Sequence, residues 1–283
     1  MTTATMPRIR LRHGVSVFRT LALTYIAILV MVVCLAQWIM PHDPLKQDIV
    51  NRLKPPATAG HLLGTDSFGR DVLSRLIAGA QTEVIVAVCT TLLAAVLGSF
   101  LGLLGGYFGR IVEGLTMRVI VDVLLAFPPI VLALLAVTIY GPGPVTLTIV
   151  MGVLFSPIFA RIAYGQVISI KHEEYVEAAE AFSAPIWTVL LRVIFPNAAA
   201  PIIAQLSLTM ADAILLESGL SYLGLGVVPP AASWGGMVAD GQRYISLNPY
   251  SLLIPSIVLI VTILAFSVLG DMLRDRLDPR RVN

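Results

Sequence analysis

The chain has 283 residues, 57% of them hydrophobic and only 13% charged, with a formal net charge of +2. Soluble domains carry about 25% charged residues, so this composition points to lipid as the solvent. The three lysines, Lys46, Lys54 and Lys171, form no basic stripe, which leaves no case for nucleic-acid binding.

Residues 1–19 read as a polar tail, and the first apolar run, 20–40, is about twenty residues long, the length of a membrane span. No small-x-small cleavage site follows it, so it is read as a retained span, not a signal peptide. The next segment, 41–83, contains "PHDP" and "KPP", which interrupt regular helix. It ends in "GTDSFGRDVLSRLIAGA", where Val72, Leu73, Leu76 and Ile77 share one helical face and Arg70, Asp71, Ser74 and Arg75 the other. That pattern predicts a short helix lying at the outer membrane interface, as a plain lead-in to the next span or as a gating or docking element.

Five further spans are expected at 84–108, 119–140, 145–170, 198–223 and 250–270. The run at 119–140 contains Asp122, that at 145–170 contains Pro157 and Arg161, and that at 198–223 contains Asp212 and Glu217. Intramembrane acids are functional candidates because buried charge is costly. Asp122 is expected to pair with Arg118 one turn earlier, Glu217 to reach the interface, and Asp212 to be the best pathway candidate. The segment after 223 is rich in glycine and proline and carries Trp234 and Tyr244. These rings suit an interface belt, or a loop that touches a partner or substrate. Cys34 and Cys89 fall inside apolar runs and are expected to be buried as small hydrophobes. His13, His42, His61 and His172 lie far apart without ligand spacing, so no metal site is expected.

With an inner N-terminus, the greater part of the 19 arginines and lysines falls on the inner side, including Arg8, Arg10, Arg110, Arg118, Arg280 and Arg281. Lys46, Arg52, Lys54, Arg70, Arg75 and Arg243 remain outside. The positive-inside rule therefore predicts both termini in the cytoplasm.

Residues 171–197 then face the cytoplasm. Glu173, Glu177 and Glu180 form an acidic stripe, with Tyr175, Ala179 and Phe182 as an apolar stripe beside it. Pro185 suits the first turn of a second helix, which is predicted to run until Pro196 stops it. A plain connector could be about four residues long, so a hairpin with an apolar stripe suits docking into a groove of another protein.

"EAAEAFSAPIWTVLLRVIFP" resembles the EAA loop of bacterial ATP-binding-cassette (ABC) importer permeases. Glu177, Ala178, Ala179 and Pro196 match that pattern in register, while Ser183 replaces its glycine, Val193 its isoleucine and Phe195 its leucine. "LGTDSFGRDVLSRLIAGA", "ESGLSYLGLGVVPP", "SWGGMVADGQ" and "LAFSVLGDMLRDRLDPR" extend the likeness to the dipeptide/oligopeptide subfamily, and to its second, C-type permease subunit. The resemblance implies an all-α integral membrane fold of ABC importer type I, with six transmembrane helices over 20–283 and a cytoplasmic coupling hairpin. It implies ATPase contact through Glu177, Ala178, Ala179, Ser183 and Pro196, and possible pathway roles for Asp212, Glu217 and Asp122. It also implies a second permease subunit, two cytoplasmic ATPase subunits that bind ATP and Mg, and an extracytoplasmic substrate-binding protein. No lysine here follows a glycine, so the chain has no P-loop and is expected to hold no cofactor of its own. Peptides are the cargo the resemblance implies; nickel or haem carried by the same architecture is an alternative. A proton-coupled carrier built on the intramembrane acids is the rival from another class.

Overall fold

A computed structural model describes residues 12–277 of the chain. Arg8, Arg10, Arg280 and Arg281, used above to orient the chain, lie outside the described residues. Those residues are helical apart from loops and two isolated β-bridges, Thr58 to His61 and Thr65 to Asp71. Five helical runs are long and apolar enough to cross a membrane, and a sixth crossing is made if one bent pair counts as a single span.

Helix α1 covers Arg12–Ile39 and is followed by the long loop to α2, Val72–Tyr107. Asp71 caps α2, accepting from the Ser74 amide at 2.8 Å and satisfying one of the orphan donors of the first turn. No separate interfacial helix forms, because nothing between Val72 and Tyr107 interrupts the α2 ladder. Its polar face is buried as well as its apolar one. Arg70, Asp71, Ser74 and Arg75 are all enclosed, since Asp66 meets Arg70 at 2.7 Å and Arg75 at 3.3 Å beneath the loop.

The third apolar run breaks where continuous helix was expected. Helix α3 (Arg110–Glu113), a π-helical stretch (Gly114–Val121) and α4 (Asp122–Leu125) make one segment. It meets α5 (Pro129–Tyr140) at an angle of 88°. Pro128 and Pro129 remove two consecutive backbone donors and disfavour helical geometry in the residue before them.

Helix α6 (Pro144–Ile170) packs along α2, and the seam is made by glycines. A Cβ added at Gly98 would lie 2.7 Å from the Phe159 Cβ. One at Gly102 would lie 2.6 Å from the Ala163 Cβ, and one at Gly106 2.6 Å from the Val167 Cβ. Glycine every fourth residue lets the two backbones approach along one ridge, the usual route to helix association in lipid.

After α7 (Glu174–Ala181) come α8 (Ile186–Thr188), a π-helical stretch (Val189–Ile194) and α9 (Phe195–Tyr222). These run as one helix over Ile186–Tyr222, so Pro196 does not stop it. The wider π turn just before Pro196 accommodates the ring and the missing donor. Helices α10 (Trp234–Arg243) and α11 (Tyr250–Leu277) complete the chain. Tyr25 on α1 reaches Thr262 on α11 at 2.7 Å. The main core gathers Leu147, Met151 and Phe159 of α6 with Ile214 and Leu220 of α9. Trp234 lies in that core, almost fully buried, with its indole N–H donated to the Leu76 carbonyl at 3.0 Å. The interface role expected for this ring is thereby overturned. Cys34 and Cys89 are free and exposed on the outer surface of the helices, not buried.

Candidate functional site

The hairpin forms at one end of the bundle, beside the C-terminal end of α2. Helix α7 is short, and its acidic first turn, Glu174 and Glu177, suits the positive end of the helix dipole. Its C-terminus closes as a Schellman motif. The Ala184 amide donates to Ala179 O at 3.1 Å and the Ser183 amide to Glu180 O at 2.9 Å. This geometry requires a left-handed residue, and Ser183 holds φ +58°. A non-glycine residue there is strained by roughly 1–2 kcal/mol. Ser183→Gly is accordingly expected to stabilise the turn by about 0.5–1 kcal/mol. The readout is a two- to fivefold slowing of amide exchange at Ser183 and Ala184; unchanged exchange would mean that the serine carries no strain.

Val176 is fully buried and packs with Val189, Leu190 and Ile194 of the second limb against Leu103 of α2 and Val167 of α6. Ala179 is half-buried at the edge of that cluster. Two further ties fix the hairpin. Tyr107 donates to Glu180 Oε1 at 2.8 Å, and Lys171 Nζ donates to Gly106 O at 3.3 Å. Glu180 is therefore committed to α2, which leaves Glu173, Glu174 and Glu177 as the free acidic face. Glu177, Ala178 and Ser183 are exposed together near the turn, whereas Pro196 lies away from it at the start of α9. Phe182 is 88% exposed and Trp187 55% exposed. Large apolar side chains are thus left in the open beside acids on a tightly braced turn.

The intramembrane acids fall into different environments. Asp122 pairs with Arg161 of α6 at 2.8 Å, not with Arg118. The π-helical stretch through Arg118 widens the turn, which spoils the four-residue stacking. Asp212 is exposed on α9, with no hydrogen bond or ion pair among the described residues. Glu217 does not reach the interface; it is 1% exposed and sits against Glu83, which is fully buried. The two carboxyl groups are close neighbours, and the Oε2 atom of each has no hydrogen-bond partner among the described residues. Glu83 Oε1 also accepts from Trp234 N at 3.1 Å and Ser218 Oγ at 3.2 Å, and Glu217 Oε1 accepts from Ser221 Oγ at 2.6 Å. Glu83 escaped the sequence reading because it falls just outside the span drawn at 84–108.

At the other end of α2 a cavity of about 480 Å³ is lined by Asp66, Arg70, Arg75, Tyr222, Asp240 and Arg243. Both long interhelical segments contribute to it, and Ser67 Oγ joins them by donating to Asp240 Oδ2 at 2.6 Å. Asp71 nearby would be raised by burial alone, but hydrogen bonds from His61 and Ser74 overcome that effect and hold its carboxyl below the usual range.

Residues 94–283 match the family described as the binding-protein-dependent transport system inner membrane component. The chain belongs to that family. The permease is 35% identical to the glutathione transport system permease protein GsiD of Pectobacterium atrosepticum, over 90% of this chain and 85% of that one. It is 34% identical to the dipeptide transport system permease protein DppC of Haemophilus influenzae, over 92% and 90%. Among solved structures it resembles the inward-facing MetNI methionine ABC transporter, with a TM-score of 0.56 and 18% identity, over 72% of this chain and 96% of that one. The fold is therefore that of an ABC importer permease, a multi-pass inner-membrane protein. Membership in this family sets aside the proton-coupled carrier.

Proposed function

We propose that this permease forms half of a translocation pathway for peptides, paired with a second permease subunit and driven by two cytoplasmic ATPase subunits. The observation that carries this reading is the braced hairpin, with Phe182, Trp187 and Glu177 exposed around a Schellman turn. Nucleotide-driven closure of the ATPases would push on this surface and move α2 and α9, to which the hairpin is packed. The chain then needs no catalytic residue, cofactor or metal for energy conversion, because ATP and Mg bind in the partner subunits. Both termini lie in the cytoplasm in this reading, as the arginine distribution favours, and an extracytoplasmic binding protein delivers cargo to the opposite face.

The exposed Asp212 and the Asp122–Arg161 pair support a second subunit. Lipid gives no partner to charge, so these groups suit a protein interface or an aqueous path between two permeases. Peptide cargo follows from the dipeptide and glutathione transport named for the relatives.

The decisive experiment is uptake of labelled di- and tetrapeptides into vesicles holding the permease with its partner permease, ATPases and binding protein. Wild type is expected to import peptide only with ATP. Glu177→Lys is expected to lower uptake at least tenfold, about 1.4 kcal/mol or more of coupling, with membrane insertion intact. Unchanged uptake in that variant would remove the coupling role. Failure to import either peptide with ATPase activity intact would overturn the peptide assignment in favour of metal or haem cargo.

A further inference from the structure

Three side chains that are distant in sequence converge on the loop that precedes α2. His42 follows α1, His61 sits in the tight turn bridged to Thr58, and Asp71 caps α2. Their donor atoms all lie within 4.8 Å of one another. His61 Nδ1 is 2.9 Å from Asp71 Oδ1, and His42 Nδ1 is 3.8 Å from Asp71 Oδ2. The two imidazole rings are 4.9 Å apart between centroids. The arrangement does more than an N-cap requires. Asp71 Oδ2 already satisfies the cap through Ser74 N and Ser74 Oγ, at 2.8 and 2.7 Å. The His42 ring contributes nothing to that cap, and 3.8 Å is too long for a hydrogen bond.

We propose that His42, His61 and Asp71 form a binding site for one divalent transition-metal ion of the zinc class, which staples the outer loop to the N-terminus of α2. Two imidazoles and one carboxylate are the donor set of open zinc sites, which keep a fourth position for water. Two ligands each about 2.0–2.2 Å from a zinc ion are separated by roughly 3.3–3.6 Å in tetrahedral geometry. The observed 2.9 and 3.8 Å, each to a different oxygen of Asp71, bracket that value, and all the donor atoms lie within 4.8 Å, so the site closes by a contraction of about an ångström. Asp71 is 2% exposed and held by Ser74, a preorganised ligand with its outer-shell support in place. His42 is 40% exposed, which leaves an entry path and room for the water. Binding through Nδ1 requires a neutral His61 ring with its proton on Nε2, so protons compete with the metal and binding must weaken in acid. The sequence hid the site because its ligands meet only through the folding of the 41–71 loop, not through short spacing.

The test uses the full-length chain, free of any polyhistidine tag, purified in detergent and stripped with EDTA. Calorimetric titration with Zn²⁺ is expected to give one saturable site per chain, and Co²⁺ in its place should develop the intense visible absorption of four-coordinate cobalt. His42→Ala and His61→Ala are each expected to weaken Zn²⁺ binding by at least about tenfold, the double variant by about a hundredfold or more. Both leave the Asp71 cap on Ser74 untouched. His42→Ala alone suffices if His61→Ala folds poorly, because the His42 ring is half exposed. No saturable Zn²⁺ binding by wild type, or binding that is undiminished in the double variant, would overturn the proposal.

Discussion

Gly102→Leu is expected to abolish accumulation of the permease in the membrane. A Cβ at Gly102 would meet the Ala163 Cβ at 2.6 Å and press on the Ala160 carbonyl and the Tyr164 amide, which are backbone and cannot rotate away. The neighbouring ridge positions Gly98 and Gly106 hold α2 at the same close distance from α6, so the helix cannot shift at one point without opening the others. Overpacking in a well-filled core costs about 1–3 kcal/mol even where side chains can yield, and here the obstacle is mostly main chain. Gly102→Ala should therefore destabilise by at least about 2 kcal/mol, and leucine by more. Gly165 supplies the control. It lies on α6, but nothing stands within 4 Å of its added Cβ, so Gly165→Ala should accumulate normally. Measured by membrane abundance and thermal unfolding in detergent, equal behaviour of Gly102→Ala and Gly165→Ala would show that the seam tolerates separation.

Elements governed by local chemistry were legible in the sequence. The hairpin announces itself by amphipathic spacing, a turn position and Pro185, and Ser183, which replaces the pattern's glycine, adopts the conformation that a glycine there would have taken. Hydropathy found the spans, yet it weighs apolarity and not backbone donors. It therefore ran straight through Pro128 and Pro129, where the chain turns by 88°. The proline signal likewise stopped the second hairpin helix at Pro196, where the π-helical stretch just before it absorbs the ring and the helix runs on into α9. Face assignment failed at the start of α2 for a different reason. Arg70 and Arg75 looked like a solvated face, but Asp66 neutralises them both and the outer loop covers them. The same limit hid Trp234. An aromatic in a glycine-rich segment suggests an interface anchor, whereas its indole bonds Leu76 O across 158 residues of sequence. Groups whose partners lie that far away carry no local mark.

Glu83 is the clearest such group, and its replacement tests how this half of the bundle is held. Glu83 and Glu217 each leave one oxygen, Oε2, buried without a donor from any other described residue, and the two carboxyl groups are close neighbours. Two buried carboxyl groups placed side by side depend on each other, so removing one changes the cost of burying the other. The pair joins three elements at once, since Glu83 belongs to α2, Glu217 and Ser218 to α9, and the Trp234 amide begins α10. Glu83→Gln retains an oxygen for Trp234 and Ser218 and adds an amide N–H that can donate to Glu217, so its unfolding temperature should stay close to wild type. Glu83→Ala removes the partner of Glu217 and leaves the Trp234 amide unpaired in the core. Breaking a buried charged or hydrogen-bonded pair from one side costs about 3–5 kcal/mol, so this variant should unfold at markedly lower temperature and lose the protection of α10 from proteolysis. Adding Glu217→Ala to it should restore part of the loss, because the second deletion removes the orphaned acid that makes the first so costly. Equal stability of Glu83→Ala and Glu83→Gln would mean that the pair bears no load, and a strictly additive double variant would mean that the two acids do not depend on each other.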